Sequence, residues 1–392
     1  MRLNRTILRT FALALLSVAL MALWAGPTGA ATPVVVSSDL FHPYDDMDDH
    51  YDLLALHALP ELKLLGYVLD QGNSGEQAKR PGAIPMDQMA AITGTAVPYA
   101  AGLWPPLSSM KDDGRHAPRG NQAGVELLLK TLRASKEPVD LFVLGSCRDV
   151  AAAYLREPAL LRRAVRAVYV NAGNGYAAIQ DEWNVVLDQP AYLVLMGSRL
   201  PIRWYPCFGA RGFATLWNVP RQGPLAEGID PRLKAFLAYA LNRTDPKALS
   251  PLGALLRTGP EGEADFRAFR DAGPRSFWCA ASFLDAAGRR VYERGGAYVA
   301  LTPSEARRQG LIRDVTPYRM EPVDVSFSMA DPPGLGRTVL AGYGQGGRVI
   351  PTFHVTTDAA TYDRMMASVL RQLYLELSGR LPSHPPAEHP AR

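Results

Sequence analysis

The chain has 392 residues, 47% hydrophobic and 20% charged, with 34 Gly and 32 Pro, an ordinary globular composition with room for one large domain or two modest ones. This excludes a mostly disordered chain, a collagen-like repeat and a coiled coil, and with only three cysteines a disulfide scaffold or Cys-rich zinc module is excluded too. Lys plus Arg outnumber Asp plus Glu by 42 to 38. Arg2, Arg5 and Arg9 lie in an acid-free N-terminus, however, and the rest of the chain is close to neutral, so charge is no argument for nucleic-acid binding.

Those three arginines precede an apolar run from Phe11 to Trp24 and the small residues Gly26 to Ala30, the pattern of an export signal over residues 1–30. The run is short for a membrane span, which needs roughly 20 apolar residues. The expectation is a secreted or periplasmic protein with no stable membrane insertion after signal cleavage; an uncleaved anchor is the alternative. One domain is expected over 31–380. Strands are predicted at Val34–Val36, Leu62–Leu69, Val97–Ala101, Val139–Leu144 and Ala167–Val170. Between them, helices are predicted around Leu53–Leu59, Met86–Ile92, Ala123–Leu132 and Asp149–Ala164, with another at Pro190–Met196. Apolar strands alternating with helices predict an α/β fold with a mostly parallel, doubly wound sheet. Further on, Leu233–Leu241 reads as helix, Glu261–Pro274 as a charged surface loop, Arg289–Leu301 as a hairpin and Ala359–Leu377 as a long amphipathic helix. The proline-rich stretch 381–392 reads as a disordered tail. Cys147, Cys207 and Cys279 lie in apolar surroundings and read as buried thiols, with at most one bridge among them.

Ligands of an open parallel sheet sit on the loops leaving the carboxyl ends of its strands. The loop leaving the first strand carries six aspartates between residues 39 and 52: Asp39, Asp45, Asp46, Asp48, Asp49 and Asp52. Capping of the next helix explains one or two of them. Crowded carboxylates otherwise call for a hard cation with oxygen ligands, Ca²⁺ or Mg²⁺, and an EF-hand does not fit the register.

This loop resembles the N-terminal signature of the inosine–uridine-type nucleoside hydrolases, a strand followed by Asp-x-Asp-Pro-Gly-x-Asp-Asp and an apolar helix. Asp39 looks like the second Asp of the opening pair, with Ser37 at the first, and Asp48-Asp49 like the closing pair. Four further matches follow in order: Gly72-Asn73, Gly145-Ser146-Cys147-Arg148-Asp149, Asn171-Ala172-Gly173, and Glu182-Trp183-Asn184 with Asp188-Gln189-Pro190-Ala191. Together they resemble the nucleoside hydrolase type of sheet, with extra C-terminal elements here.

The resemblance implies cleavage of the N-glycosidic bond of ribonucleosides or related N-ribosides by a Ca²⁺-bound water, through an oxocarbenium-like state. Asp39 would be metal ligand and general base, Asp49 a metal ligand, and Arg148 a ligand through its backbone carbonyl. Asp48, Asn73, Glu182 and Asn184 would hold the sugar, with Asn174 at its 5′ side. Asn174 also suits a glycine-rich turn, and Arg148 also reads as a surface arginine. The family's C-terminal His-Asp pair falls on Trp278-Cys279. A thiol is a poor ligand for a hard cation, and Trp278 reads equally as a stacking residue or as core. His42, raised in pKa by neighbouring carboxylates, or His354, is then the candidate acid. Asp45 or Asp46 is the candidate replacement ligand. The expected partner is a small nucleoside or riboside, with a homo-oligomer left open. The alternatives are a catalytically silent metal- and sugar-binding relative and, less favoured for want of a phosphate loop, a metal-dependent phosphoesterase.

Overall fold

The computed structural model describes residues 30–43, 46–209, 212–241 and 266–383. The elements in chain order are β1 (Thr32–Ser38), α1 (Asp48–His57), β2 (Leu62–Leu69), α2 (Ala83–Thr93), β3 (Tyr99–Ala101), α3 (Ala123–Ala134), β4 (Val139–Val143), α4 (Arg148–Arg156), α5 (Pro158–Ala164) and β5 (Val165–Val170). They continue with β6 (Asn174–Gly175), α6 (Trp183–Leu187), α7 (Gln189–Met196), β7 (Ile202–Trp204), β8 (Phe208–Gly209), β9 (Trp217–Val219), α8 (Pro231–Leu241), β10 (Arg275–Phe277) and α9 (Ala280–Ala286). The hairpin β11 (Arg290–Arg294) and β12 (Ala297–Leu301), α10 (Pro303–Arg308), β13 (Tyr318–Ala330), β14 (Thr338–Tyr343), β15 (Arg348–Val355) and α11 (Ala359–Ser378) complete the chain.

Nine strands form the central sheet in the order β14-β13-β15-β7-β5-β4-β1-β2-β3. From β15 to β3 every pairing is parallel, and β13 pairs antiparallel with both β14 and β15. The sheet is therefore mostly parallel, as the alternation of strands and helices predicts. Its faces are separate cores. Val34 and Val36 of β1, with Phe142 of β4 and Tyr169 of β5, pack with α1, α2, α8, α9 and α11. Val35, Leu141, Val143, Val168 and Val170 pack with α3, α4, α5 and α7 on the other side. This alternation along each strand follows from its two-residue period. Among the described residues no helix is long and apolar enough to cross a membrane.

Several expectations need correction. The helix read over Asp149–Ala164 is two, because Glu157 takes φ −139° and ψ 64° before Pro158, whose ring disfavours helical geometry at the preceding residue. The third strand starts at Tyr99, not Val97. Residues 266–270 of the expected surface loop are helical, with Phe269 buried, and 261–265 lie outside the described residues. Residues 1–29 and 384–392, read as signal and tail, lie outside them as well. The long antiparallel extension β13–β15 had no counterpart in the strand pattern, since β13 carries polar residues along its length and is only patchily buried.

One buried side chain joins the loops at the carboxyl end of the sheet. Arg148 is fully buried and not the surface arginine of one sequence reading. Its guanidinium donates to Asp188 (2.9 Å), to Leu103 O (3.1 Å), to Gly72 O (2.6 Å) and to Leu187 O (3.0 Å). Asp70 lies 3.5 Å away. These acceptors belong to the loops after β2 and β3 and to the α6–α7 junction. Deleting one partner of a buried charge network leaves desolvated groups unpaired. Arg148→Leu is expected to lower stability by about 3–5 kcal/mol in urea unfolding. Breaking the exposed Lys79–Glu76 pair is expected to leave it essentially unchanged.

Candidate active site

Strand order reverses beside β1, which has β2 and β3 on one side and β4, β5 and β7 on the other. Ligands of doubly wound sheets bind at such a switch point. A cavity of ≈ 380 Å³ opens there, and it is lined by Asp39, Phe41, Asp46, Asp48, Asp49, Gln77, Leu144, Glu182, Trp183, Asn184, Cys207, Phe208, Trp278 and Cys279. The structure thus gathers six predicted site residues, Asp39, Asp48, Asp49, Glu182, Asn184 and Trp278, from four separate stretches of chain.

Asp39 begins the loop leaving β1, and Asp48 and Asp49 open α1, where their negative charge complements the helix dipole. The helix takes no side-chain cap from Met47 at its N-cap position; the Asp46 carboxylate accepts from the Asp48 amide at 3.2 Å instead, so helix-end hydrogen bonding accounts for Asp46. Gly145, after β4, lets this chain segment reach Asp39: a Cβ there would lie 2.9 Å from the Asp39 amide nitrogen and 3.0 Å from its Cβ.

Burial and crowding push these carboxyls up. Asp39 reaches about 6, mainly through burial, with the charge of Asp70 adding and a hydrogen bond with Asp49 opposing. Asp49 and Asp48 are held well above the usual carboxylate range, by burial first and then by their neighbours' negative charges. Asp52, buried just behind, reaches about 7 through burial, opposed by a hydrogen bond with Cys279. Arg275 forms an ion pair with Asp46 and lies 3.8 Å from Asp48.

The opposite wall comes from α6. Glu182 is its N-cap: the carboxylate accepts from the amides of Gly173 (2.7 Å), Asn184 (3.0 Å) and Val185 (3.4 Å). Gly173 sits at φ +90°, a conformation L side chains rarely adopt. Burial raises Glu182 to about 7 against these three bonds. The Asn184 amide donates to Leu144 O and Asn171 O, both at 2.9 Å, and so ties the ends of β4 and β5 together. Trp183, which the sequence placed in a motif without a role, donates its indole N–H to Asp39 at 3.3 Å. The indole N–H of Trp278 is buried and has no hydrogen-bond partner among the described residues. Its ring meets Phe208 edge-on at 6.2 Å, so Trp278 belongs to the cavity wall.

Other predicted residues lie elsewhere. Asn73 is exposed, and its backbone amide donates to Gln77; Gln77, not Asn73, lines the cavity. Asn174 spends its amide on Ile179 O and Asp181, outside the lining. His42 stacks on Tyr239 with ring centroids 5.4 Å apart, and burial lowers its pKa to about 4. It is therefore neutral near pH 7, contrary to the expected elevation by nearby acids, because desolvation outweighs them. His354 packs on Phe213 at 4.5 Å, away from the cavity. Arg148 lies outside the lining and acts through its guanidinium. Asp45 lies outside the described residues, whereas Asp46 lines the cavity. All three cysteines are buried and unbridged. Phe41, Gln77, Trp183, Cys207 and Phe208 were not assigned to the site beforehand. The apolar ones carry no local chemical signal that separates a cavity wall from a core.

The oxygen chemistry of Asp39 and Asp49, two crowded carboxyls in contact, fits a hard divalent cation. Cys279 does not fit one, and among the described residues no three His, Cys, Asp or Glu side chains form a metal-holding group.

The Glu182 elevation carries a sign. A carboxyl that holds its proton more tightly when folded contributes stability that is complete below pH 4.5 and is lost as pH rises through about 7. Glu182→Gln is expected to flatten the parent's decline between those values by up to about 3 kcal/mol, measured by urea unfolding at a series of pH values.

No family model matches the chain. Among curated proteins it is 26% identical over 192 residues to the pyrimidine-specific ribonucleoside hydrolase RihA of Klebsiella pneumoniae (strain 342), a match covering 44% of this chain and 59% of that protein. It is 29% identical over 192 residues to the RihA of Enterobacter sp. (strain 638), covering 44% of this chain and 58% of that one. The matched stretch thus spans somewhat more than half the length of these relatives. Among solved structures, the plant nucleoside hydrolase PpNRh1 superposes with a TM-score of 0.51 at 12% identity, over 88% of this chain and 99% of that one, a likeness of fold. By these matches and its mostly parallel sheet, the chain is a divergent relative of the nucleoside hydrolases.

Proposed function

We propose that this protein hydrolyses the N-glycosidic bond of ribonucleosides or related N-ribosides in the cavity at the β1–β4 switch point. The observation that carries this reading is the contact between the Asp39 and Asp49 carboxyls on one side of a ≈ 380 Å³ cavity whose lining also includes Glu182 and Asn184. A sugar needs hydrogen-bonding groups around its hydroxyls, and the bond to be broken needs a nearby base for the attacking water. Asp39, elevated to about 6, suits the base: it is ionised near neutral pH and accepts a proton readily. The Trp183 indole N–H orients its Oδ2. Asp48 and Glu182 offer carboxyl oxygens to the sugar, although three backbone amides already hold Glu182 in place.

Asp39 and Asp49 would hold Ca²⁺; the Arg148 carbonyl, the third ligand that the sequence resemblance implies, belongs to a residue outside the cavity lining. When bound, the ion supplies polarisation of a water and anchorage for ribose hydroxyls. We read Trp278 and Cys279 as standing where the family has its His-Asp pair. The Cys279 thiol is engaged with Asp52 and is no substitute for an oxygen ligand. That substitution favours a second reading, a catalytically silent relative that binds the sugar. We also read residues 1–30 as an export signal, so that the working protein is secreted or periplasmic; N-terminal sequencing of the exported protein is expected to begin near Ala31.

The deciding measurement is free reducing sugar released from a panel of ribonucleosides, with added Ca²⁺ and with chelator. Release that chelator abolishes is expected. Asp39→Asn is expected to lower kcat by roughly 10²–10⁴-fold, with the folded state checked by circular dichroism. Sugar binding by calorimetry without release from any nucleoside would establish the silent relative instead.

A further inference from the structure

We propose that the cavity is specialised for a cationic N-riboside, in which ribose is joined to a pyridinium-type nitrogen; this rests on the N-glycoside hydrolase reading above. Three observations converge on it.

The first is charge. The described lining residues include five carboxyl side chains and no Lys, Arg or His. Arg275 stands against Asp46 and Asp48 and offsets part of this. Even with a divalent cation held by Asp39 and Asp49, Glu182 still contributes a carboxyl. A cationic ring gains from this field, and a neutral base does not.

The second is the aromatic wall of Phe41, Trp183, Phe208 and Trp278. Trp183 is 49% exposed and Phe208 41% exposed, so these two lining rings are open to solvent and accessible to a ligand. Aromatic faces attract a cation through their quadrupole, and acidic aromatic cages are a recurrent solution for quaternary nitrogen.

The third is proton accounting. A neutral base must be protonated as it departs. A pyridinium aglycone needs no proton: the C1′–N bond breaks, its electron pair goes to the ring nitrogen, and the aglycone leaves as a neutral pyridine. The water oxygen bonds to C1′, and the proton it releases passes through Asp39 to solvent. No imidazole lines the described cavity; His42 is engaged with Tyr239 and His354 with Phe213.

The test separates charge recognition from turnover. The full chain is titrated with 1-methylnicotinamide and with nicotinamide, which differ by a methyl group and a positive charge, and quenching of tryptophan fluorescence is followed. The cation is expected to bind at least tenfold tighter, and Phe208→Leu to shrink that preference by roughly threefold or more. In ribose-release assays, kcat/KM for N-ribosylnicotinamide is expected to exceed that for uridine and inosine by about 100-fold. Equal binding of the two probes, or faster release from the neutral nucleosides, overturns the inference and leaves the hydrolase reading standing. Preference for the cation without release from any riboside sinks the hydrolase reading while upholding recognition of the cation.

Discussion

The desolvated guanidinium of Arg148 is the constraint on which the carboxyl end of the sheet depends. A fully buried cation is tolerated only when its donors are all satisfied. Here the acceptors are two loop carbonyls, a carbonyl at the α6–α7 junction and the carboxylate of Asp188. Asp188 also accepts from the amides of Leu107 and Ala191. The loops after β2, β3 and β4 and the start of α7 are thereby held as one body. Asp70 joins the same assembly through the amides of Gln71 and Ser146. Preorganisation of a site on rigid supports needs this kind of second layer.

Against that rigid frame stands a group of carboxyls whose arrangement opposes stability. Asp39, Asp48, Asp49, Asp52 and Glu182 are all raised by burial. An isolated fold gains nothing from gathering acids in a low-dielectric crevice. Such concentrations of perturbed groups mark functional sites more often than structural ones. The α6 wall follows the same pattern. Glu182 caps a short helix, and Gly173 takes a left-handed conformation to bring its amide to that carboxylate. The backbone there is shaped around the acid.

Both helical layers and the parallel order of the sheet were legible from local pattern. Apolar runs such as Val34–Val36 and Leu141–Leu144 are continuous because both faces of the sheet are covered. The acidic loop was equally legible, since six aspartates in one loop exceed what a helix start requires. Asp39, Asp48, Asp49, Glu182 and Asn184 came from ordered motif matches, and the structure brings all five to one cavity. Asn73, Asn174 and His42 came from the same reasoning and lie outside its lining. Each sits near a motif, but its side-chain direction depends on a turn that sequence spacing does not encode. For His42 the sequence showed the nearby acids and not the burial against Tyr239, which reverses the direction of its titration.

The sequence by itself therefore determined the class of fold, the end of the sheet that carries chemistry and the oxygen-rich character of that chemistry. These are properties of composition and short-range periodicity, which a linear chain displays directly. Only the tertiary structure decided that Arg148 is a buried tie, that Trp183 bonds Asp39, and that Phe208 and Trp278 complete an aromatic wall. Those contacts join residues separated by up to 144 positions. Their energetics depend on burial and on mutual distance, which arise only when the loops are brought together.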